Sequence, residues 1–300
     1  MSEIFSQRAE SRLLIAIGAN GLLTVVQVGS GFWAGSLSLM ADALHNFGDA
    51  AALVIALVAM RLALRPADPD KTFGYRRAES IGALINLTVL IMLSLYLVVE
   101  AVERLVNPRE VTGALVMAVA ALALVIDTLT VLLTAPHRGT NQNMRAAFLH
   151  NMADALASVG VILAGAMIWL YEWFWADAAV TLLIAGYIMW HGVRDIWDVI
   201  HLLMEGTPQH LKIGPIKADM EKIPGVRNVH HLHLWNLDEN RLALEAHVLI
   251  ETGYDMEELK TRIKDYLIND CGIGHSTLEF EYELCAEERS KTAFGSGYCL

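Results

Sequence analysis

The sequence predicts an all-α membrane domain of six helices followed by a small α+β domain, and three observations carry that prediction. The 300 residues are 55% hydrophobic with a mean hydropathy of +0.42, more apolar than a soluble domain needs to fill its core. Six apolar windows precede Pro208, each close to the roughly 20 residues that cross a hydrocarbon layer of about 30 Å. Beyond Pro208 the composition becomes that of a soluble domain. The expected division is a transmembrane domain over 1–207, a cytosolic domain over 208–286 and a tail over 287–300.

The windows lie near 13–35, 38–64, 79–105, 112–135, 144–171 and 177–203. Turn or polar signals separate them: Ala34-Gly35-Ser36, the polar stretch from Arg65 to Arg77, Asn107-Pro108, Pro136 to Asn141, and the aromatic Trp173-Phe174-Trp175. The opening MSEIFSQRAESR mixes acid and base and lacks a small-residue cleavage site, so the first span is expected to be retained. Basic residues collect before span 1, in the 2–3 connection (Arg61, Arg65, Lys71, Arg76, Arg77) and in the 4–5 connection (Arg138, Arg145). The 1–2 and 5–6 connections carry none, and only Arg104 and Arg109 around the 3–4 connection dilute the pattern. Both termini are therefore expected on the cytoplasmic side, which puts Trp33, Trp173 and Trp175 at the outer interface.

In the soluble part, 209–223 reads as a helix, 226–236 and 240–250 as strands, 255–269 as an amphipathic helix and 275–283 as a third strand. This α-β-β-α-β order makes a two-layer domain. Its modest core would gain from docking or dimerisation. A formal charge of -11 and a pI near 5.4 leave no basic face for nucleic acid. Cys271, Cys285 and Cys299 are odd in number and lack CxxC spacing, which points to reduced thiols rather than a disulfide framework.

Two spans contain the same costly insertion, LHNFGDA over 44–50 and LHNMADA over 149–155. His45 and Asp49 stand at i and i+4 on one helix face, as do His150 and Asp154. Each ionisable group at membrane depth costs about 2.5–3.5 kcal/mol or more, so four of them call for a shared partner. Two imidazoles and two carboxylates suit tetrahedral Zn²⁺. They argue against the thiolate-seeking Cu⁺ and against the oxygen-seeking Ca²⁺ and Mg²⁺. An intramembrane zinc protease needs a glutamate base beside its histidines, as in HExxH, and neither window has one; no enzymatic activity is expected. The quartet fits carrying a metal, and since His must be neutral and Asp ionised to bind it, metal and protons compete for the same atoms.

With SLSLMADALHNFGDAAAL in span 2, RPADPDKTFGYRRAE after it, HNMADALASVGVI in span 5, LMEGTP after span 6, and PGVRNVHHLHLW and HVLIE beyond, the chain resembles the cation diffusion facilitator family of zinc transporters. The resemblance implies six helices with cytosolic termini, a ferredoxin-like cytosolic domain, a homodimer in a bacterial cytoplasmic membrane, and proton-coupled export of divalent metal by alternating access. His45, Asp49, His150 and Asp154 match the zinc-preferring pattern, with Co²⁺ and Cd²⁺ as minor cargo. His230, His247 and Glu281 match the family's cytosolic zinc site, where the binuclear members carry a histidine at the Glu281 position; His231, His233, His275 and Glu283 lie close by in sequence. The resemblance also suggests that Arg77 and Glu205 form an ion pair bracing the dimer. At the 2–3 connection, where some relatives bind a further metal, Asp68 is present but Tyr75 and Lys71 replace histidines, so Asp68 and Asp70 are expected to be solvated loop charges. The 4–5 connection has only His137 in place of the histidine-rich loop of many zinc transporters.

Two further acids sit within spans. Asp42 reads as a vestibule or capping residue, and Asp127 as a helix contact with Asn86 or Asn20, with proton relay as the alternative for each. A second class of function remains open at this point, a membrane zinc sensor that binds at the quartet without moving the ion.

Overall fold

The computed structural model describes residues 21–134, 142–238 and 241–283, with Gly18 ahead of them. Asn20, His137, Cys285, Cys299, the tail over 287–300 and the side chain of His150 fall outside the described residues. The described chain forms two compact units, one up to Val58 and from Ala83 to Ile196, the other from Ala59 to Gly82 and from Trp197 onward.

Helices occupy all six apolar windows: α1, described over Gly21–Ala34, then α2 (Leu37–Ala63), α3 (Ala78–Val106), α4 (Gly113–Thr134), α5 (Gln142–Tyr171) and α6 (Trp175–Leu203). By length and composition α3, α6 and the Asn151–Tyr171 part of α5 can each cross a membrane. Large apolar side chains such as Ile85, Met92 and Val99 point outward from α3, as suits a hydrocarbon solvent. Leu39, Leu97, Val116, Val161 and Ile188 fill the interior of this unit.

Small residues let α4 and α5 approach closely. A Cβ at Gly113 would fall 2.6 Å from the Gly165 carbonyl oxygen, and one at Gly165 would fall 2.8 Å from Met117 Cγ. Backbones this near exchange dispersion contacts over their whole surface, the usual basis of helix association in lipid.

The turn from α1 to α2 is held from outside. Gly35 adopts φ +69°, a left-handed conformation that glycine takes without strain. Its carbonyl accepts from Arg104 Nη1, while Thr112 N donates to Ala34 O at 2.9 Å. The exposed N-terminal amides of α2 are then capped by a carboxylate from another helix. Asp177 of α6 accepts from Leu37 N at 2.7 Å, Ser38 N at 3.2 Å, Ser36 Oγ at 2.5 Å and Ser38 Oγ at 2.6 Å, and it is 1% exposed. A negative charge at this end also complements the α2 dipole. The same region explains why two arginines stand in the 3–4 connection. Arg104 and Arg109 both pair with Glu100, and Arg109 also with Glu103, so their charge is neutralised locally.

The second unit carries α7 (Ile213–Glu221), β1 (Val226–Asp238), β2 (Arg241–Ile250), α8 (Met256–Asn269) and β3 (His275–Glu281), the expected α-β-β-α-β order. The sheet order is β1-β2-β3, with β1 and β2 antiparallel and β2 and β3 parallel, so α8 is the crossover between two parallel strands. Asp255 caps α8 by accepting from Glu258 N at 2.9 Å. The first helix starts at Ile213 rather than 209, because the residues after Pro208 close a turn in which Leu211 N donates to Pro208 O. Pro215 is tolerated there, since the first helical turn needs no N–H from it. Met220, Val229, Leu244, Val248, Ile263 and Leu267 form the core between sheet and helices. Within this unit Arg77 Nη2 pairs with Glu205 Oε1 at 3.1 Å, and Arg77 also donates to the carbonyls of Leu237 and Asn236.

Replacing Asp177 by alanine leaves the α2 amides and two serine hydroxyls without their acceptor. The expected loss is about 2–4 kcal/mol, read as a lower thermal unfolding midpoint of the detergent-solubilised protein, with Asp177→Asn recovering part of it. An unchanged midpoint for Asp177→Ala would show that α2 is anchored by other means.

Candidate functional site

The two HxxxD helices meet at their polar faces. His45 Nε2 lies 2.8 Å from Asp154 Oδ1, and one ligand atom each from His45, Asp49 and Asp154 lies within 4.8 Å of the others. Asp154 is buried and the other two are half-buried. At this separation a hydrogen bond joins the imidazole nitrogen and the carboxylate oxygen. Both atoms are of the kind that coordinate a divalent ion. The backbone of α5 carries His150 one helical turn before Asp154; its side chain lies outside the described residues.

Neighbouring polar groups hold the ligand-bearing helices in register. Gln27 of α1 donates to Asp42 Oδ2 at 2.5 Å and accepts from Asn46 Nδ2 at 3.1 Å, tying α1 to the turn of α2 that carries His45. Asp127 of α4 accepts from Ser158 Oγ of α5 at 2.9 Å. Among the described residues Asp127 thus meets Ser158, four residues beyond Asp154, while Asn86 lies elsewhere and Asn20 is outside the described residues.

Asn86 lines a cavity of about 430 Å³ shared with His45 and Asp49 on one side and with Tyr187, His191 and Asp195 of α6 on the other. His191 and Asp195 form a third HxxxD pair that sequence reasoning passed over. The signal was there in HGVRD, but Arg194 inside it reads as the charged end of a span. No lysine or arginine lines the cavity, so its lining favours a cation. Asp177 was also missed, because nothing in its local sequence says that it caps a different helix.

In the second unit His230 and His247 sit directly opposite each other on β1 and β2. The register then slips by one residue between His230 and His233, a bulge in which His231 takes φ +50°. Glu281 on β3 reaches both imidazoles, with His247 Nδ1 at 2.9 Å from Oε1 and His230 Nε2 at 3.2 Å from Oε2. The 3.2 Å approach of His230 to Oε2 lacks hydrogen-bond geometry, so this buried carboxylate oxygen is only partly satisfied, as a ligand atom awaiting a cation would be. Two imidazoles and one carboxylate, with ligand atoms within 4.8 Å of each other, fit a zinc-type ion. Of the other expected candidates, His233 packs its ring 5.0 Å from His231, His275 lies 6.0 Å from Phe73, and Glu283 is exposed beyond β3. None of these three belongs to the gathered cluster.

The 2–3 connection uses its acid internally. Asp68 Oδ2 accepts from Tyr75 at 2.5 Å, and Oδ1 accepts from the amides of Asp70 at 3.0 Å and Lys71 at 2.8 Å. The Tyr75 hydroxyl first, then the Lys71 amide, hold the Asp68 carboxyl below the usual carboxylate range, and the same contact pushes the Tyr75 hydroxyl up. A carboxylate so occupied is a poor metal ligand.

Residues 13–204 match the cation efflux transmembrane domain, and residues 208–283 match the cytoplasmic domain of cation efflux proteins. The chain belongs to the cation efflux family. Similar proteins include the zinc transporter ZitB of Yersinia pestis, 38% identical over 292 residues that cover 95% of this chain and 92% of that one. The cadmium, cobalt and zinc/H(+)-K(+) antiporter of Bacillus subtilis is 34% identical over 275 residues, 90% of this chain and 88% of its own. The metal cation efflux system protein CzcD of Cupriavidus metallidurans is 31% identical over 292 residues, 97% and 92% of the two chains. This cation efflux protein is therefore an integral membrane protein whose class of activity is metal cation efflux.

For the cytosolic cluster of this cation efflux protein, Glu281→Gln removes the charge that both imidazoles share. Zn²⁺ retained by the purified full-length chain after equilibrium dialysis is expected to fall, and to fall no further when His230→Ala is added. Additive losses would mean that the two residues serve separate ions.

Proposed function

We propose that this protein exports Zn²⁺ from the cytoplasm in exchange for protons, using His45, Asp49, His150 and Asp154 as one tetrahedral transport site that faces the two sides of the membrane in turn. The observation that carries this reading is the contact of His45 with Asp154 across two spans, with Asp49 beside it. Metal binding there releases the proton that the contact holds, so loading and release are opposite steps of one exchange. His150, in the same register on α5 as His45 on α2, supplies the fourth ligand. The donor set favours Zn²⁺, with Co²⁺ and Cd²⁺ as further cargo. The names of the relatives point the same way, towards zinc transport and exchange for H⁺.

The cavity beneath Asp49 is the route by which the ion reaches the site, with His191 and Asp195 as its outer ligands. The cytosolic domain, beginning at residue 208, is a dimer clamp that carries a zinc ion on His230, His247 and Glu281. The protein works as a homodimer in the bacterial cytoplasmic membrane with both termini inside, and it catalyses no covalent chemistry.

The test is flux. Protein reconstituted into vesicles under a pH gradient should move Zn²⁺ with measurable proton counterflow, and should move Mn²⁺ far less. Asp49→Ala and Asp154→Ala should each reduce flux by at least about 100-fold while the protein still inserts, since each removes a charged ligand that binding cannot replace. Wild-type flux from either variant would falsify the site. Zinc binding without flux in the wild type would identify a sensor instead. His45→Asp should raise the Cd²⁺ to Zn²⁺ flux ratio, as an oxygen ligand replaces an imidazole.

A further inference from the structure

A cavity of about 660 Å³ in the second unit carries three arginines and no carboxylate in its lining. The 2–3 connection contributes Arg65, Phe73 and Arg76; Arg241 begins β2, and His275 begins β3. Gly272 and Gly274 complete the rim. Its volume falls within the roughly 300–1,000 Å³ typical of small-molecule sites.

The charges do not cancel. Asp238, with only 8% of its side chain exposed, accepts from Arg241 Nε at 2.6 Å and lies 3.7 Å from Arg76 Nη1. One carboxylate thus fixes two guanidiniums at the cavity wall and leaves a surplus of positive charge. The Arg65 side chain has no hydrogen bond or ion pair among the described residues; neither of the loop's two acids, Asp68 and Asp70, lines the cavity, and Asp68 faces Tyr75 and two amides. Phe73, whose ring meets His275 edge-on at 6.0 Å, adds an apolar flank, and Leu64 at the end of α2 adds a second.

We propose that this pocket binds a phosphate-bearing anion. Guanidinium forks match the spaced oxygens of a phosphate, and three arginines converging on one cavity are more than a single carboxylate ligand would need. The exposed apolar rim at the end of a membrane-spanning helix suits a phospholipid headgroup, and the same chemistry would hold a soluble phosphate. Binding draws the 2–3 connection against β2 and the start of β3, so occupancy links the segment between two spans to the sheet of the same unit.

The experiment uses the full-length protein in neutral detergent. Inorganic phosphate is titrated calorimetrically at constant ionic strength, with sodium chloride as the control salt. Phosphatidylglycerol adducts are counted by native mass spectrometry, with phosphatidylcholine of the same acyl chains as the control lipid. Arg65→Gln breaks no contact among the described residues, so its fold is preserved, and it should weaken binding about tenfold or more. Gly274→Asp, whose Cβ would meet open space, should do the same by placing an anion at the rim. Arg227→Gln, an equal change of charge at an exposed strand position outside the pocket, should leave binding as it was. Loss of phosphate binding in the two pocket variants supports the site with a soluble ligand, and loss of phosphatidylglycerol adducts alone supports it with a headgroup. Absence of both kinds of binding in the wild type, or equal weakening by Arg65→Gln and Arg227→Gln, overturns it.

Discussion

An ionisable side chain at membrane depth has no water to satisfy it, so it must find a partner on another helix or remain uncharged. That constraint shapes the first unit. His45 and Asp154 answer each other across α2 and α5 at 2.8 Å, Asp127 is met by Ser158, and Asp42 by Gln27. Each contact joins a different pair of elements or turns, and together they fix the rotation of α2 and α5 about their axes. A rotation of either helix by one residue, about 100°, would carry its ligands out of reach of the other. The site is therefore a product of helix orientation, and helix orientation is a product of the polar contacts around the site.

The α2 helix needs a second restraint, because orientation about its axis does not fix its position along that axis. Asp177 supplies this restraint by gripping the first amides of α2 from α6, and the left-handed Gly35 lets α1 turn back tightly beside it. Axial position matters because one residue of slippage moves a side chain by about 1.5 Å, more than metal coordination tolerates. The serines at 36 and 38 serve the same carboxylate, so a polar cluster at the start of α2, closed by an acid from far along the chain, contributes to where His45 stands.

Much of this was legible in the sequence, and the parts that were not share a cause. The six spans could be read because hydropathy is a local property, and the two HxxxD pairs because i and i+4 are neighbours on any helix. The α-β-β-α-β order followed from local periodicity in the same way. What escaped was pairing between distant residues. Asp127 was expected against Asn86 or Asn20; among the described residues it meets Ser158 and not Asn86, while Asn20 lies outside them, since a span acid can choose among several polar residues at similar depth. The bulge at His231 has no signal in a run of three histidines in four residues. It nonetheless decides which of them turn toward Glu281: His230 lies before the slip and faces His247, while His233 lies after it and faces Glu245. His275 was grouped with the metal ligands because it opens the strand that ends in Glu281, but seven residues of strand separate the two ends by about 20 Å.

The two candidate metal clusters, built from the same kinds of atom, differ in how their carboxylates are shared. In the membrane cluster one imidazole nitrogen meets one carboxylate oxygen at 2.8 Å, with a second carboxylate, Asp49, beside them. In the cytosolic cluster one carboxylate serves two imidazoles from two strands, and its second oxygen has no hydrogen bond of its own among the described residues. Without a cation at its centre, the cytosolic cluster would leave three strands holding an acceptor buried and poorly paired, whereas the membrane cluster places its two carboxylates on two different helices around one imidazole.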